Sequence, residues 1–283
     1  MVSVAARRPR GRDEALRARF LAEFAPVRDQ ILDRARVGDG DVVLDVGAGD
    51  GLVAFAALDR VGPAGRVIFA DVSAPLLDRA RQLAGEIDQG GRCTFLKCAA
   101  EDLAPVADAS VDVVTTRSVL IYVEDKRRAL AAFRRVLRPG GRISIWEPIN
   151  RHMFPEPAGR FFGFDVAPVR DLAARVVSAY AARPLPAMMG FDEHDLFAMA
   201  EDAGFVELRL ELRREAVARH APRSWDGFLA SSPNPLAPTL GEAIAKALTE
   251  EEAARFAAHL RPLVEDGRSI RRQSVAHVWA EAP

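Results

Sequence analysis

Between residues 42 and 147, short apolar runs alternate with amphipathic stretches, and this alternation leaves the chain few possible folds. Val42–Val46, Arg66–Asp71, Cys93–Lys97, Val111–Thr116 and Arg142–Glu147 have the length and apolar content of buried strands. The segments after the first, second and fourth of these read as helices: from Leu52 to about Val61, Ala74–Ile87 with Ser73 as its cap, and about Asp125 to Leu137. Leu130, Phe133 and Leu137 share one face of the last, and the "RPGG" that follows stops it. Strands joined by helices cannot pair as hairpins. They must form a parallel sheet with helices on both faces, an α/β architecture.

The flanks are different. Leu16, Phe20 and Phe24 recur every fourth residue, and Val27, Ile31 and Ala35 continue beyond Pro26, which predicts two amphipathic helices broken at the proline. After residue 147 the rhythm changes. The segment from Pro148 to Met189 holds six prolines and one helix-period stretch, Val169, Leu172, Val176 and Tyr180. Asp192–Ala203 reads as a helix and Phe205–Leu212 as a strand. Residues 215–268 read as mostly helical, with a capping box from Thr249 to Glu252, and Ser269–Ala280 is a last strand. The expected organisation is an N-terminal tail and helices (1–37), a ligand-binding core (38–147), a lid (148–190), a further core helix and strand (191–214), a helical insertion (215–268) and a closing strand (269–283).

Composition removes several function classes. A net charge of −1 gives no field to attract nucleic acid or an anionic membrane. No run of about 18 apolar residues is present, as a membrane-crossing helix needs. The opening "VSVAARRPRGR" lacks the apolar stretch of a secretion signal, and its arginines read as a solvated tail. Cys93 and Cys98 lie an odd number of residues apart on one strand, so they face opposite sides and cannot share a metal or bridge each other. They read as buried fillers in a reducing compartment, which makes the expected location the cytoplasm, without a metal site and with the chain a monomer or homodimer.

The chemistry lies in "VVLDVGAGDG", residues 42–51. Asp45 closes the strand, and Gly47, Gly49 and Gly51 alternate with Ala48 and Asp50 before a helix. Glycine allows positive φ and lets backbone amides reach a ligand. A dinucleotide turn needs G-x-G-x-x-G/A, and Leu52 breaks that version, so a ligand without a pyrophosphate fits better. Asp71 stands twenty residues beyond Gly51 at the end of the second strand, where an acid can accept both hydroxyls of a ribose. "AAEDLAP" (99–105) follows the third strand.

Together these three sites, covering about residues 40 to 150, resemble the class I S-adenosylmethionine-dependent methyltransferases. The resemblance implies a sheet of order 3-2-1-4-5-7-6 with strand 7 antiparallel, and S-adenosylmethionine as cofactor. It implies that Asp45, Gly47, Ala48, Gly49 and Gly51 pack against the amino-acid and ribose parts, and that Asp71 with Val72 binds the ribose end. Ala100 and Glu101 would hold adenine, and Arg117 completes the cofactor set. Many members carry Asp where this chain has Ala99, so Glu101 or Asp102 is expected to substitute.

Tyr122 and Lys126 form a literal Tyr-x-x-x-Lys, the signature of NAD(P)-dependent short-chain dehydrogenases, with Ser110 upstream. Tyr122 precedes the helix, however, and that mechanism needs both groups on one helix face. A non-catalytic cofactor-binding module is the other alternative. An arsenite methyltransferase would need clustered thiols, which two cysteines cannot supply. Methyl transfer requires a base only when the acceptor must lose a proton. Tyr122, Glu147 and His152 are the candidates at the carboxyl edge of the sheet. Phe154, Phe161, Phe162, Phe164, Met188, Met189, Trp225 and Phe228 are concentrated in the additions, which implies a cap that binds a small apolar or aromatic acceptor.

Overall fold

The computed structural model describes residues 24–87, 89–180, 186–232 and 238–283. They form two compact units. The first holds the described residues up to Pro148 together with Phe191–Leu212 and Val275–Pro283; the second holds Ile149–Gly190 and Arg213–Ser274.

The first unit is built on β1 (Val42–Val46), β2 (Arg66–Asp71), β3 (Cys93–Lys97), β4 (Val111–Arg117) and β5 (Leu137–Pro148). β1 pairs in parallel with β2 and β4, β2 with β3, and β4 with β5. Two later strands, β8 (Val206–His220) and β9 (Arg268–Glu281), complete the sheet in the order β3-β2-β1-β4-β5-β9-β8. β9 runs antiparallel to β5, with Trp146 opposite His277 and Ser144 opposite Trp279. This is the expected order 3-2-1-4-5-7-6. Strand order reverses between β1 and β4, which opens a crevice at their carboxyl ends where such sheets bind ligands.

Both faces of the sheet are covered. Helix α1 (described over residues 24–34), α2 (Leu52–Arg60) and α3 (Ala74–Glu86) cover one face. Ile31, Leu32, Ala54, Leu58 and Leu77 pack there on Val43, Val67 and Phe69, with the Phe69 ring 5.1 Å from Phe55 and 4.8 Å from Phe95. α4 (Lys126–Val136) packs beside α7 (Glu193–Asp202), burying Leu130, Phe133 and Leu196 completely. Asp125 caps α4 by accepting the Arg128 N–H at 2.9 Å. The "RPGG" stretch ends α4 and then forms an irregularity in β5, where the β4 register jumps from Leu137 to Arg142.

Some local expectations are corrected. Helix α1 carries Pro26 in its first described turn, and the Leu16–Phe20 half of the predicted pair lies outside the described residues. Ser73 occupies the cap position of α3 without a side-chain bond; its backbone N–H instead donates to Asp71. Cys93 and Cys98 are free and only partly buried, because β3 is the edge strand and Cys98 lies just past its end. Residues 215–220, expected to be helical, extend β8.

The second unit has its own core. A hairpin of β6 (Arg160–Phe161) and β7 (Phe164–Asp165) turns at Phe162 and Gly163, with φ of 50° and 79°. Around it lie α5 (Arg170–Tyr180), α6 (Pro186–Met189), α8 (Trp225–Leu229), α9 (Leu240–Ala247) and α10 (Glu250–Glu265). Thr239 with Glu242, and Thr249 with Glu252, form complete capping boxes on α9 and α10. Phe161 is buried against Phe256, ring centroids 5.5 Å apart, and Phe164 against Phe228 at 5.6 Å. Phe161 therefore belongs to the core of this unit and does not line a pocket. Gly163 is obligatory: a Cβ there would lie 2.2 Å from the Ile270 carbonyl oxygen. Phe161→Ala should destabilise this unit by about 3–5 kcal/mol. Phe162→Ala, at an exposed turn, should cost much less, and chemical denaturation of the two variants provides the comparison.

Candidate functional site

At the carboxyl end of β1, Asp45 is almost fully enclosed. Its Oδ1 accepts the Thr115 hydroxyl at 2.8 Å, and the Ala54 N–H in the first turn of α2 also bonds it. Burial outweighs these bonds and pushes its carboxyl up to about 7. The chain then turns through Gly47, Gly49 and Gly51 at φ of 69°, 58° and 98°. The three glycines are required for different reasons. A Cβ on Gly47 would meet Val119 at 2.2 Å, and one on Gly51 the Phe55 ring at 2.5 Å. A Cβ on Gly49 would meet nothing within 4 Å, so there the turn opens on free space. Ala48 is buried, and its N–H joins that of Gly47 on the Ala70 carbonyl.

Asp71 ends β2 and ties this turn down. Its Oδ2 accepts the Gly49 N–H at 2.8 Å and its Oδ1 the Ser73 N–H at 2.8 Å. Each oxygen keeps a lone pair for a further donor. Val72, 65% exposed, presents an apolar surface beside it. The Asp71 carbonyl accepts the Cys98 N–H at 3.2 Å, which draws the turn carrying Ala100 and Glu101 to the same edge.

A third loop leaves β4. Ser118 adopts a left-handed φ of 57°, and its N–H donates to the Trp146 carbonyl at 2.8 Å. Glu147, completely buried, accepts the N–H groups of Val119 (2.9 Å) and Leu120 (3.0 Å) on Oε1 and of Ile121 (3.3 Å) on Oε2. Burial pushes its carboxyl up to about 7 despite these three donors. The loop presents Tyr122, 46% exposed, whose phenol is raised by burial and by the Glu147 charge. Arg117, the last residue of β4, has its guanidinium 5.0 Å from the centre of the Phe24 ring.

Residues 44–145 match the family model described as "Methyltransferase domain". The ubiquinone/menaquinone biosynthesis C-methyltransferase UbiE of Cronobacter sakazakii is 31% identical over 182 residues, which cover 62% of this chain and 70% of that protein. The nocamycin O-methyltransferase of Saccharothrix syringae is 31% identical over 218 residues, covering 73% of this chain and 75% of that one. This chain belongs to the class I S-adenosylmethionine-dependent methyltransferases. The YcgJ protein of Bacillus subtilis shares the fold, with a TM-score of 0.53 over 90% of this chain and 97% of that one at 18% identity.

The site of this methyltransferase fits its cofactor. Open space stands where a Gly49 Cβ would be, next to a carboxylate with lone pairs to spare and an apolar shelf at Val72. Asp45, Gly47, Ala48, Gly49, Gly51, Asp71, Val72, Ala100, Glu101 and Arg117 all lie in the first unit, Asp45, Asp71 and Arg117 at the carboxyl ends of β1, β2 and β4 and the others in the turns that follow β1, β2 and β3. Tyr122 and Glu147 join them, whereas His152 lies in the second unit, in a 3-10 turn at Asn150–His152. Glu147 is corrected from a base to a brace, since both its oxygens are occupied by backbone donors and shut off from solvent. The dehydrogenase reading fails on geometry. Tyr122 ends a 3-10 turn (Leu120–Tyr122), while the Lys126 ammonium donates to the Val123 carbonyl at 2.8 Å and lies over the Phe191 ring. Thr115 and Ser118 were not foreseen. Only β1–β4 pairing places the Thr115 hydroxyl beside Asp45, and no sequence signal marks Ser118 as left-handed.

The raised Glu147 carboxyl has a signed consequence. Between about pH 4.5 and 7 the native state holds a proton that the unfolded chain releases, so this group's contribution to stability falls as pH rises through that window. Asp45 acts in the same direction; His277, buried and held down at about 4, acts oppositely. In Glu147→Gln the Glu147 component disappears. The stability advantage of wild type over this variant should therefore shrink from pH 4.5 to 7, read by denaturant titration across a pH series.

Proposed function

We propose that this enzyme methylates a small apolar or aromatic organic acceptor and that its second unit carries the acceptor preference. The observation behind this reading is Phe162. It is a 38% exposed aromatic held at positive φ on the hairpin turn, in the unit that contains none of the expected cofactor residues. A large side chain kept in that conformation is strained, and strain of this kind persists mainly where a ligand or partner uses it. Phe154, 49% exposed, lies in the same unit. The names of the relatives support a small-molecule acceptor, since one acts in quinone biosynthesis and the other on nocamycin.

When bound, S-adenosylmethionine supplies a methyl group on a sulfonium, whose departing thioether needs no acid. The protein's task is then to align, to exclude water and, for an acidic acceptor, to take a proton. In this reading the glycine turn and Asp45 hold the amino-acid end, Asp71 the ribose hydroxyls, and Val72, Ala100 and Glu101 the adenine. Tyr122, with its phenol raised and half exposed, is a hydrogen-bonding group for the acceptor, and His152 remains the other candidate base. Glu147 acts through the loop it braces and touches nothing that reacts.

Three outcomes test this reading. S-adenosylmethionine and S-adenosylhomocysteine should raise the melting temperature while NAD and NADP should not; a shift with nicotinamide alone would remove the cofactor assignment. Asp71→Ala should weaken S-adenosylhomocysteine at least about tenfold by calorimetry, since it loses ribose contacts and the Gly49 tether together. Phe162→Ala should raise the acceptor KM in a labelled-methyl assay over phenols, amines and polyketide-like acids, while cofactor affinity stays within about threefold. Equal loss of cofactor and acceptor binding would place acceptor recognition outside this turn.

A further inference from the structure

The hairpin of β6 and β7 is closed by a turn that its own sequence does not favour. Arg160 pairs with Asp165 and Phe161 with Phe164, so Phe162 and Gly163 alone reverse the chain, both at positive φ. A two-residue turn of this kind suits asparagine, aspartate or glycine at its first position. The Cβ of a phenylalanine disfavours it, and the conformation has to be held by bonds from outside the hairpin. Glu156 supplies them. Its Oε1 accepts the Gly163 N–H at 3.0 Å, and the Phe162 N–H also bonds its carboxylate. Two successive amides of the turn therefore converge on one side chain from the segment before the hairpin.

That segment is well placed to hold a carboxylate still. Pro155 and Pro157 flank Glu156 and restrict the backbone on either side of it. The Arg160 backbone N–H donates to the Pro157 carbonyl at 3.0 Å, which ties the segment to the first strand of the hairpin. Burial raises the Glu156 carboxyl, while the two amides and the charges of Arg272 and Arg160 act against that rise. On the far side of the turn, the Gly163 carbonyl accepts the Ile270 N–H at 3.0 Å and the Arg160 guanidinium at 3.4 Å. With its backbone fixed in this way, the Phe162 ring stands edge-on to Phe161 at 4.8 Å and to Phe228 at 6.1 Å, and remains exposed. Phe154, also exposed, lies two residues before Glu156.

We infer that Glu156 is a positioning residue for acceptor selection: by holding both amides of the turn, it keeps Phe162 in the left-handed conformation that presents its ring to the acceptor. The inference rests on the acceptor reading given above and names the group that sets its geometry. Glu156 acts through Phe162 and does not itself meet the acceptor. Without it the turn is free to relax toward the backbone conformations that a phenylalanine prefers, and the ring leaves its seat on Phe161 and Phe228.

Four variants of the full chain test this: Phe162→Ala, Glu156→Ala, Glu156→Gln and the double variant with both alanines. The assay uses labelled S-adenosylmethionine and whichever of the phenols, amines and polyketide-like acids wild type methylates fastest. Glu156→Ala should raise the acceptor KM at least about fivefold, with kcat and cofactor affinity much less affected. Because Glu156 acts through Phe162, the double variant should have a KM no higher than that of Phe162→Ala. Glu156→Gln keeps a carbonyl oxygen for the Gly163 amide and should recover most of the loss. Amide exchange at Phe162 and Gly163 should quicken in Glu156→Ala and stay slow in Glu156→Gln, and unliganded melting temperatures show whether each variant folds. If the two single effects multiply in the double variant, or if glutamine is as poor as alanine, Glu156 works by its charge or on the fold at large and the inference is wrong. If Phe162→Ala raises KM and Glu156→Ala does not, the turn holds itself; the inference is again wrong, while the acceptor reading stands. If Phe162→Ala leaves KM unchanged, or wild type methylates no aromatic member of the panel, the acceptor reading itself fails, a result distinct from both.

Discussion

A carboxylate enclosed in the middle of a parallel sheet is costly unless donors are built around it. Asp45 meets that condition with the Thr115 hydroxyl from the neighbouring strand and the Ala54 amide from the helix that follows. These bonds join β1, β4 and α2 at one point, the same point at which strand order reverses and the sheet opens a crevice. The glycine turn leaves from there with its direction already set. Its conformation follows from the crowding of Gly47 against Val119 and of Gly51 against Phe55, which leaves Gly49 alone facing open space.

Two further carboxylates order the loops around it by the same means. Asp71 takes one amide from the glycine turn and one from the start of α3; Glu147 takes three from the loop after β4. Side-chain carboxylates that gather backbone amides hold irregular chain, since each bond fixes one amide on a shared acceptor. The arrangement separates support from chemistry. Glu147 is sealed from solvent, whereas Asp71 retains acceptor capacity and Tyr122 stands half exposed on the loop that Glu147 holds.

The second unit has a hydrophobic core of its own. Its aromatic core, from Phe161 and Phe164 to Phe228 and Phe256, closes on itself, and its helices α9 and α10 begin with complete capping boxes. Stability of this kind leaves the exposed residues of the hairpin turn free to differ among enzymes that share the first unit.

Alternation of strand and helix, together with three glycines and two acids at set positions, was enough to read the sheet, its order through family resemblance, and the loops that carry the cofactor site. These features are local in sequence: a buried strand, its terminal acid and the turn after it lie within ten residues. Pairwise consequences were not legible. Glu147 looked like a base, because nothing in "WEP" shows that three amides from residues 119–121 converge on it. Phe161 and Phe162 looked equivalent, because adjacent phenylalanines separate into core and surface only once the turn at Phe162–Gly163 is formed. Arg117 could be placed at the end of a strand from sequence. That its guanidinium lies over the Phe24 ring of α1 is a fact about separate elements meeting in space, and only the tertiary structure decides it.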